Sequence, residues 1–301
     1  MEIVTGAWIS EDIQKQLQQG MTGEVLLVNS SGVYLCFGER MLLLCDESWG
    51  LLPVGIAIEN YRKAVKDICL AQGQRVRASD VCLDFPGGKL RLVPRKPQPE
   101  DDTPAVPEEK RILRAAEEIA ALRKNRGISL LVLPLVLGRP MDADILQNPW
   151  CVRAYRHLGR LMKALRSGER TEICPCVERL LGLGPGLTPS ADDVMLGMLY
   201  VFRKIPGKHP EAVEAFRDCV SRLCGSHTNS VSASYLRAIL QGAPFERMER
   251  VFGGLCGRET LNTALLTQVG SNSGAEMLLG MLLAFRVCGC NETVNDKRRS
   301  V

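Results

Sequence analysis

Histidine is nearly missing from this chain, with three in 301 residues. His157, His209 and His227 stand at no metal-ligand spacing, and the twelve cysteines do not make up for them. The close pairs Cys174-Pro-Cys176 and Cys288-Gly-Cys290 lack the two-residue gap and the histidine partners of a zinc site, so no metal is expected there. In a chain of this length without a secretory signature, the thiols are expected to be reduced. The opening MEIVTGAWISEDIQ has no basic stretch leading into an apolar one, which predicts no signal peptide and a cytoplasmic location. Long hydrophobic runs are also lacking. The most apolar stretch, ISLLVLPLVLG at 128 to 138, contains a proline and is too short to span a bilayer, which excludes a membrane partner. Net charge is only +4, and lysine and arginine are spread thinly with no interleaved aromatics, which excludes nucleic acid. The Walker ending Lys-Ser/Thr and the G-x-S-x-G elbow are both missing, and Ser190 has no histidine partner in sequence. An ordinary nucleotide loop and a triad hydrolase are thereby disfavoured, and no cofactor motif is found.

What the chain does contain is 46% hydrophobic residues, enough for a sizeable core. GEVLLVN, VYLCF and MLLLC, separated by turn signals, predict an antiparallel meander within 22 to 60, and VCLDF-PGG-KLRLV predicts a hairpin. Residues 1–95 are therefore expected to form a β-rich domain. The proline- and charge-rich stretch at 96–108 reads as a linker, 109–290 as a helical domain and 291–301 as a frayed tail. Helical periodicity marks 109 to 124, 143 to 167, 190 to 204, 210 to 224, 229 to 241, 258 to 268 and 274 to 287. The expected class is α+β: an N-terminal antiparallel β-rich domain followed by a mostly helical domain with two buried, mutually similar, glycine-containing helices.

Those helices align without gaps, TPSADDVMLGMLYVFR (188 to 203) on SNSGAEMLLGMLLAFR (271 to 286), which points to an internal duplication or to one packing solution used twice. Gly197 and Gly280 match, as expected if the helices pack closely there. Ser190 with Asp193, and Ser273 with Glu276, fit the capping-box spacing. Asp192 has no counterpart, since Ala275 occupies the matching position, and capping does not require it. That makes it the leading candidate for chemistry or for holding an ion such as Mg²⁺. The preceding GLGPGLTPS leaves backbone N–H groups unshielded before a helix start, an arrangement suited to an anion. A third helix entrance opens with Thr228, Asn229 and Ser230, beside His227. If the entrances at 182–192, 228–232 and 270–274 converge, they would line one site for a small anion, with Gly184, Gly186, Thr188, Ser190, Thr228, Ser230, Ser273 and Gly274 as its contacts and Asp192 and Asp193 as its acids.

GLGPGLTPSADD, TNSVSASYLRAILQG and VGSNSGAEMLLG together resemble the AllH family, a subunit of oxamate carbamoyltransferase, over much of 180 to 285. The chain departs from the family pattern where it carries Ser271 and Asn272 in place of His-Thr, and Glu276 in place of Asp. The resemblance implies a transferase reaction in anaerobic allantoin and purine catabolism, in which oxalurate and phosphate give oxamate and carbamoyl phosphate. It also implies two other subunit types as partners. The Ser-x-Arg-Thr motif of the aspartate- and ornithine-type carbamoyltransferases is missing, so their fold and mechanism do not carry over. Two other readings stay open: a non-catalytic scaffold subunit of the same complex, and a stand-alone phosphate- or nucleotide-binding enzyme.

Overall fold

The computed structural model describes residues 3–17, 19–29, 32–79, 81–96, 107–122 and 127–289, without the side chains of residues 3–6, 12 and 16. Most of the expected linker and the whole of the expected tail lie outside the described residues. The chain forms two compact units, Met1–Asp101 with Gln241–Arg247, and Asp102–Leu240 with Met248–Val301.

In the first unit, eight strands close into a barrel in the order β1-β5-β4-β3-β2-β6-β7-β8. They are β1 (Ile3–Ser10), β2 (Thr22–Val28), β3 (Val33–Phe37), β4 (Arg40–Asp46), β5 (Gly55–Ile58), β6 (Arg75–Ala78), β7 (Cys82–Phe85) and β8 (Gly88–Arg95), with short helices α1 (Glu11–Gln16) and α2 (Tyr61–Asp67) between them. Along β3, Val33, Leu35 and Phe37 face inward while Tyr34 and Cys36 are only half-buried, the period of two that lets a strand line a core. Val25, Leu44, Ile56, Leu83 and Leu90 join them in one apolar cluster. Closure removes the open edges that would otherwise recruit other strands. The antiparallel meander β2-β3-β4 and hairpin β7-β8 form as the turn signals predict. The sheet is nevertheless mixed, because β4 pairs β5 in parallel and β1 pairs β8 in parallel. The longer connection 47–54 carries the chain back to the end of the barrel from which β4 began, and closure joins first and last strands that run the same way.

Gln241–Arg247 belongs to this unit through specific bonds. Glu246 Oε2 accepts from Leu51 N at 3.0 Å, and Arg247 donates to Trp49 O at 3.1 Å and Ser48 O at 2.9 Å. The Arg247 guanidinium also lies over the Trp49 ring, 5.5 Å from its centroid.

The second unit consists of α3 (Glu109–Ala121), α4 (Val132–Leu135), α5 (Ala143–Gln147), α6 (Pro149–Ser167), α7 (Ile173–Leu180), α8 (Ser190–Lys204), α9 (Pro210–His227), α10 (Ser230–Leu240), most of α11 (Glu246–Leu255), α12 (Ala264–Thr267) and α13 (Ser273–Val287). The helix expected over 143 to 167 is two helices. Pro149 has no N–H to continue the first, and Asn148 caps the second by accepting from Trp150 N and Cys151 N. The stretch expected to be helical at 258 to 268 is helical only over α12. Helices α7 and α11 lie outside the periodic segments. Pro175 sits in the first turn of α7, where its missing N–H is tolerated, and Gly253 and Gly254 lower the helix propensity of α11, although Met248, Val251, Phe252 and Leu255 keep the helical spacing.

Helices α8 and α13 are the centre of the unit. Every residue from Ser190 to Phe202 and from Gly274 to Phe285 is buried, as expected of helices apolar nearly all round. They pack against each other at their matched glycines. A Cβ on Gly197 would run into the Met277 carbonyl, and one on Gly280 would run into the Val194 carbonyl and stand 3.1 Å from Gly197 Cα. No helix among the described residues is long and apolar enough to cross a membrane.

Candidate functional site at the helix N-termini

The two central helices start one residue earlier than the capping-box spacing predicts. Pro189 and Asn272 are the N-caps, neither makes a side-chain capping bond, and Ser190 and Ser273 are the first helical residues. The Pro189 carbonyl already accepts from Asp192 N and Asp193 N, and the Asn272 carbonyl accepts from Ala275 N and Glu276 N. The expected capping boxes therefore do not form. Asp193 and Glu276, released from the helix ends, turn into the interior and are 2% and 1% exposed.

Asp192 is equally buried, at 1% exposure, and is held from two sides. Its Oδ1 accepts from the Gly182 amide at 2.8 Å, and its Oδ2 accepts from the Thr228 hydroxyl and from Ser232 Oγ at 2.7 Å. One carboxyl thus joins the glycine-rich loop to the start of α10. Burial raises its pKa, and the bonds from Thr228, Gly182 and Ser232 oppose that rise. Gly182 makes the approach possible, because a Cβ there would meet the His227 carbonyl.

The second joint links the same loop to the start of α13. Thr188 Oγ1 and Ser273 Oγ share a hydrogen bond of 2.9 Å, and both hydroxyls stabilise the charged form of Asp193. Against them stand full burial and then the negative charge of Glu276, which together drive the Asp193 carboxyl well above its usual range. Its Oδ2 is buried with no partner. Glu276 Oε1 accepts from Ile128 N at 2.8 Å, and a Cβ on the preceding Gly127 would collide with that carboxylate. Gly127 is fixed in turn by its carbonyl, which accepts from Asn148 Nδ2 at 2.7 Å. The result is a pair of enclosed carboxyls contributed by equivalent positions of the repeated helices, each raising the other's hold on a proton.

The three helix entrances therefore meet: 182–192 touches 228–232 through Asp192, and 270–274 through Thr188. Within the loop, Gly184 and Gly186 have φ of +125° and +97°, conformations closed to other L residues. The amides of Gly184, Gly186, Leu187 and Thr188 make no hydrogen bond among the described residues. Ser190 is buried under Gly184. Two of the expected contacts are placed differently. Ser230 is exposed at the start of α10, where Ser232 reaches Asp192 instead, and Gly274 is packed beneath the Leu266 carbonyl. His227 ends α9, with Nε2 3.6 Å from Glu178 and Nδ1 2.9 Å from Ser226 Oγ. Among the described residues no cluster of three or more His, Cys, Asp or Glu side chains is arranged to hold a metal. The sequence signal for Glu276 was its alignment with Asp193. Ser232 lay within the expected 228–232 entrance without being singled out, whereas Gly127 and Asn148 carry no motif and only the fold brings them in.

Fold and site define an α+β protein whose helical unit is centred on a repeated glycine-containing helix with enclosed carboxyls at its start. Residues 180–285 match the family model for the oxamate carbamoyltransferase subunit AllH, and over that segment the chain is similar to this family. No solved structure matches the chain.

Proposed function

We propose that the chain is a subunit of an oxamate carbamoyltransferase and takes a small anion at the joined starts of α8 and α13. In this reading oxalurate and phosphate yield oxamate and carbamoyl phosphate, with two further subunit types completing the enzyme. The observation that carries the reading is the Thr188–Ser273 hydroxyl pair set beside the unengaged amides of Gly184, Gly186, Leu187 and Thr188. Hydroxyl and amide donors at a helix start suit phosphate, and they also suit the oxygen on which charge builds as phosphate attacks the carbamoyl carbon. Asp193, whose hold on a proton burial strengthens, is the acid able to give a proton towards the leaving nitrogen. Asp192 acts on the same loop as a brace. Mg²⁺ at Asp192 is the less favoured variant, since N–H and O–H donors already face both of its oxygens.

The test is Thr188→Val and Ser273→Ala in an enzyme reassembled with its partner subunits. Loss of the two donors should raise KM for phosphate about tenfold, equivalent to about 1.4 kcal/mol, with assembly intact on gel filtration. Unchanged KM and turnover would remove the site.

A non-catalytic scaffold role is favoured by one specific observation, the complete engagement of Asp192 within the fold. It predicts that Asp192→Asn alters stability or assembly while turnover per assembled complex stays the same. A stand-alone enzyme would require the purified chain to turn over oxalurate, or to be stabilised by oxalurate, carbamoyl phosphate or ATP. At a hundredfold excess over Kd a ligand adds about 2.7 kcal/mol, readily seen as a thermal shift.

A further inference from the structure

Helices α7 and α9 bring two thiols and a guanidinium together. Arg222 Nη2 donates to Cys174 Sγ at 2.9 Å and to Cys219 Sγ at 3.6 Å. Sequence spacing pairs Cys174 with Cys176, yet Cys176 is buried on α7, and the sulfur that shares the Arg222 nitrogen with Cys174 comes from the other helix. The two sulfurs differ in access. Cys174 is half-buried, on a surface that carries the exposed Arg222, whereas Cys219 is 7% exposed. Burial first, then the neighbouring Cys174, pushes the Cys219 thiol up to about 12, so Cys174 is the sulfur that meets peroxide first.

We infer that Cys174 and Cys219 form a peroxide-sensitive dithiol, with Cys174 as the sulfur attacked and Cys219 as the sulfur that resolves it into an α7–α9 disulfide. The Cys174 sulfur attacks one peroxide oxygen and the O–O bond breaks. One oxygen remains on Cys174 as the sulfenic acid, and the other leaves as water with a proton. Cys219 gives its proton to the sulfenic hydroxyl as its sulfur attacks Cys174; the S–O bond breaks and a second water leaves. Peroxide is reduced by two electrons and the thiol pair is oxidised by two. The disulfide joins the two helices that run directly into Gly182 and Thr228, the residues that hold Asp192 from opposite sides. Oxidation thereby fixes the spacing of the brace.

The experiment treats the full chain with hydrogen peroxide, blocks remaining thiols with iodoacetamide, and maps tryptic peptides without reduction. Cys174 falls in TEICPCVER and Cys219 in DCVSR. The expected product is these two peptides linked with the loss of two hydrogens, with fragmentation placing the link at Cys174 and not at Cys176. In Cys219→Ser the link should be lost and Cys174 should become labelled by dimedone, which traps sulfenic acid. Exposed Cys69 is the internal reference. If peroxide sufficient to oxidise Cys69 leaves both peptides unlinked, or if Cys174 pairs with Cys176 instead, the inference is overturned.

Discussion

Asp192 and Asp193 are neighbours in sequence and almost equally buried, yet their surroundings divide them sharply. Three donors satisfy Asp192, and the amide of Asp192→Asn would present its own protons to Thr228 and Ser232, or to Gly182 if turned over. At a cost of about 1–3 kcal/mol for each unmatched buried group, urea unfolding of that variant should begin at distinctly lower denaturant. Burial raises the proton affinity of both carboxyls, and that of Asp193 the more. Folding raises its affinity for a proton, so its contribution to stability is fully present below the ordinary value of 3.8 and is lost as pH rises through the folded-state value. The loss proceeds at up to about 1.4 kcal/mol per pH unit. Urea midpoints should therefore fall with rising pH in the unsubstituted chain, and Asp193→Asn should flatten the fall. Sequence spacing made Asp192 the unpaired acid and Asp193 the capping acid. The structure exchanges those descriptions, because the helix begins one residue sooner and the hydroxyl partners of Asp192 come from α10. A local motif cannot show a partner that arrives forty residues later.

Helices α8 and α13 were legible as elements. Their all-round apolar character and their matched glycines predicted burial and close packing, and both are observed. Alanine normally favours a helix over glycine by about 1 kcal/mol. Here the new methyl would strike a backbone carbonyl that cannot swing aside, so Gly197→Ala and Gly280→Ala should each lower stability by about 1–3 kcal/mol despite the better propensity. Gly159 in α6 supplies the contrast. Nothing lies within 4 Å of a Cβ built there, and Gly159→Ala should stabilise by up to about 1 kcal/mol. Circular dichroism melts of the three variants would separate packing from propensity by sign alone. Short or interrupted helices were the illegible ones. Helices α7 and α11 do carry the helical spacing, Ile173-Cys176-Val177-Leu180 and Met248-Val251-Phe252-Leu255, but over only 8 and 10 residues and beside a proline or two glycines, so the pattern did not stand out.

For the whole molecule, the first unit is discontinuous in sequence, a property that no composition shift announces. Residues 241–247 return to it, with Ala243 and Phe245 buried and Glu246 and Arg247 bonded to 48–51. A protease site inserted between residues 100 and 101, once cut, should leave fragments that co-elute on gel filtration at neutral pH. Glu246→Ala with Arg247→Ala should let them separate. During synthesis the same discontinuity imposes a delay. At about 5–20 residues per second the ribosome adds the intervening stretch in about ten seconds or more, and for that time the barrel's 48–51 segment waits with donors and carbonyls turned to water. Translation halted before residue 241 would release a barrel with all eight strands whose 48–51 segment stays turned to water.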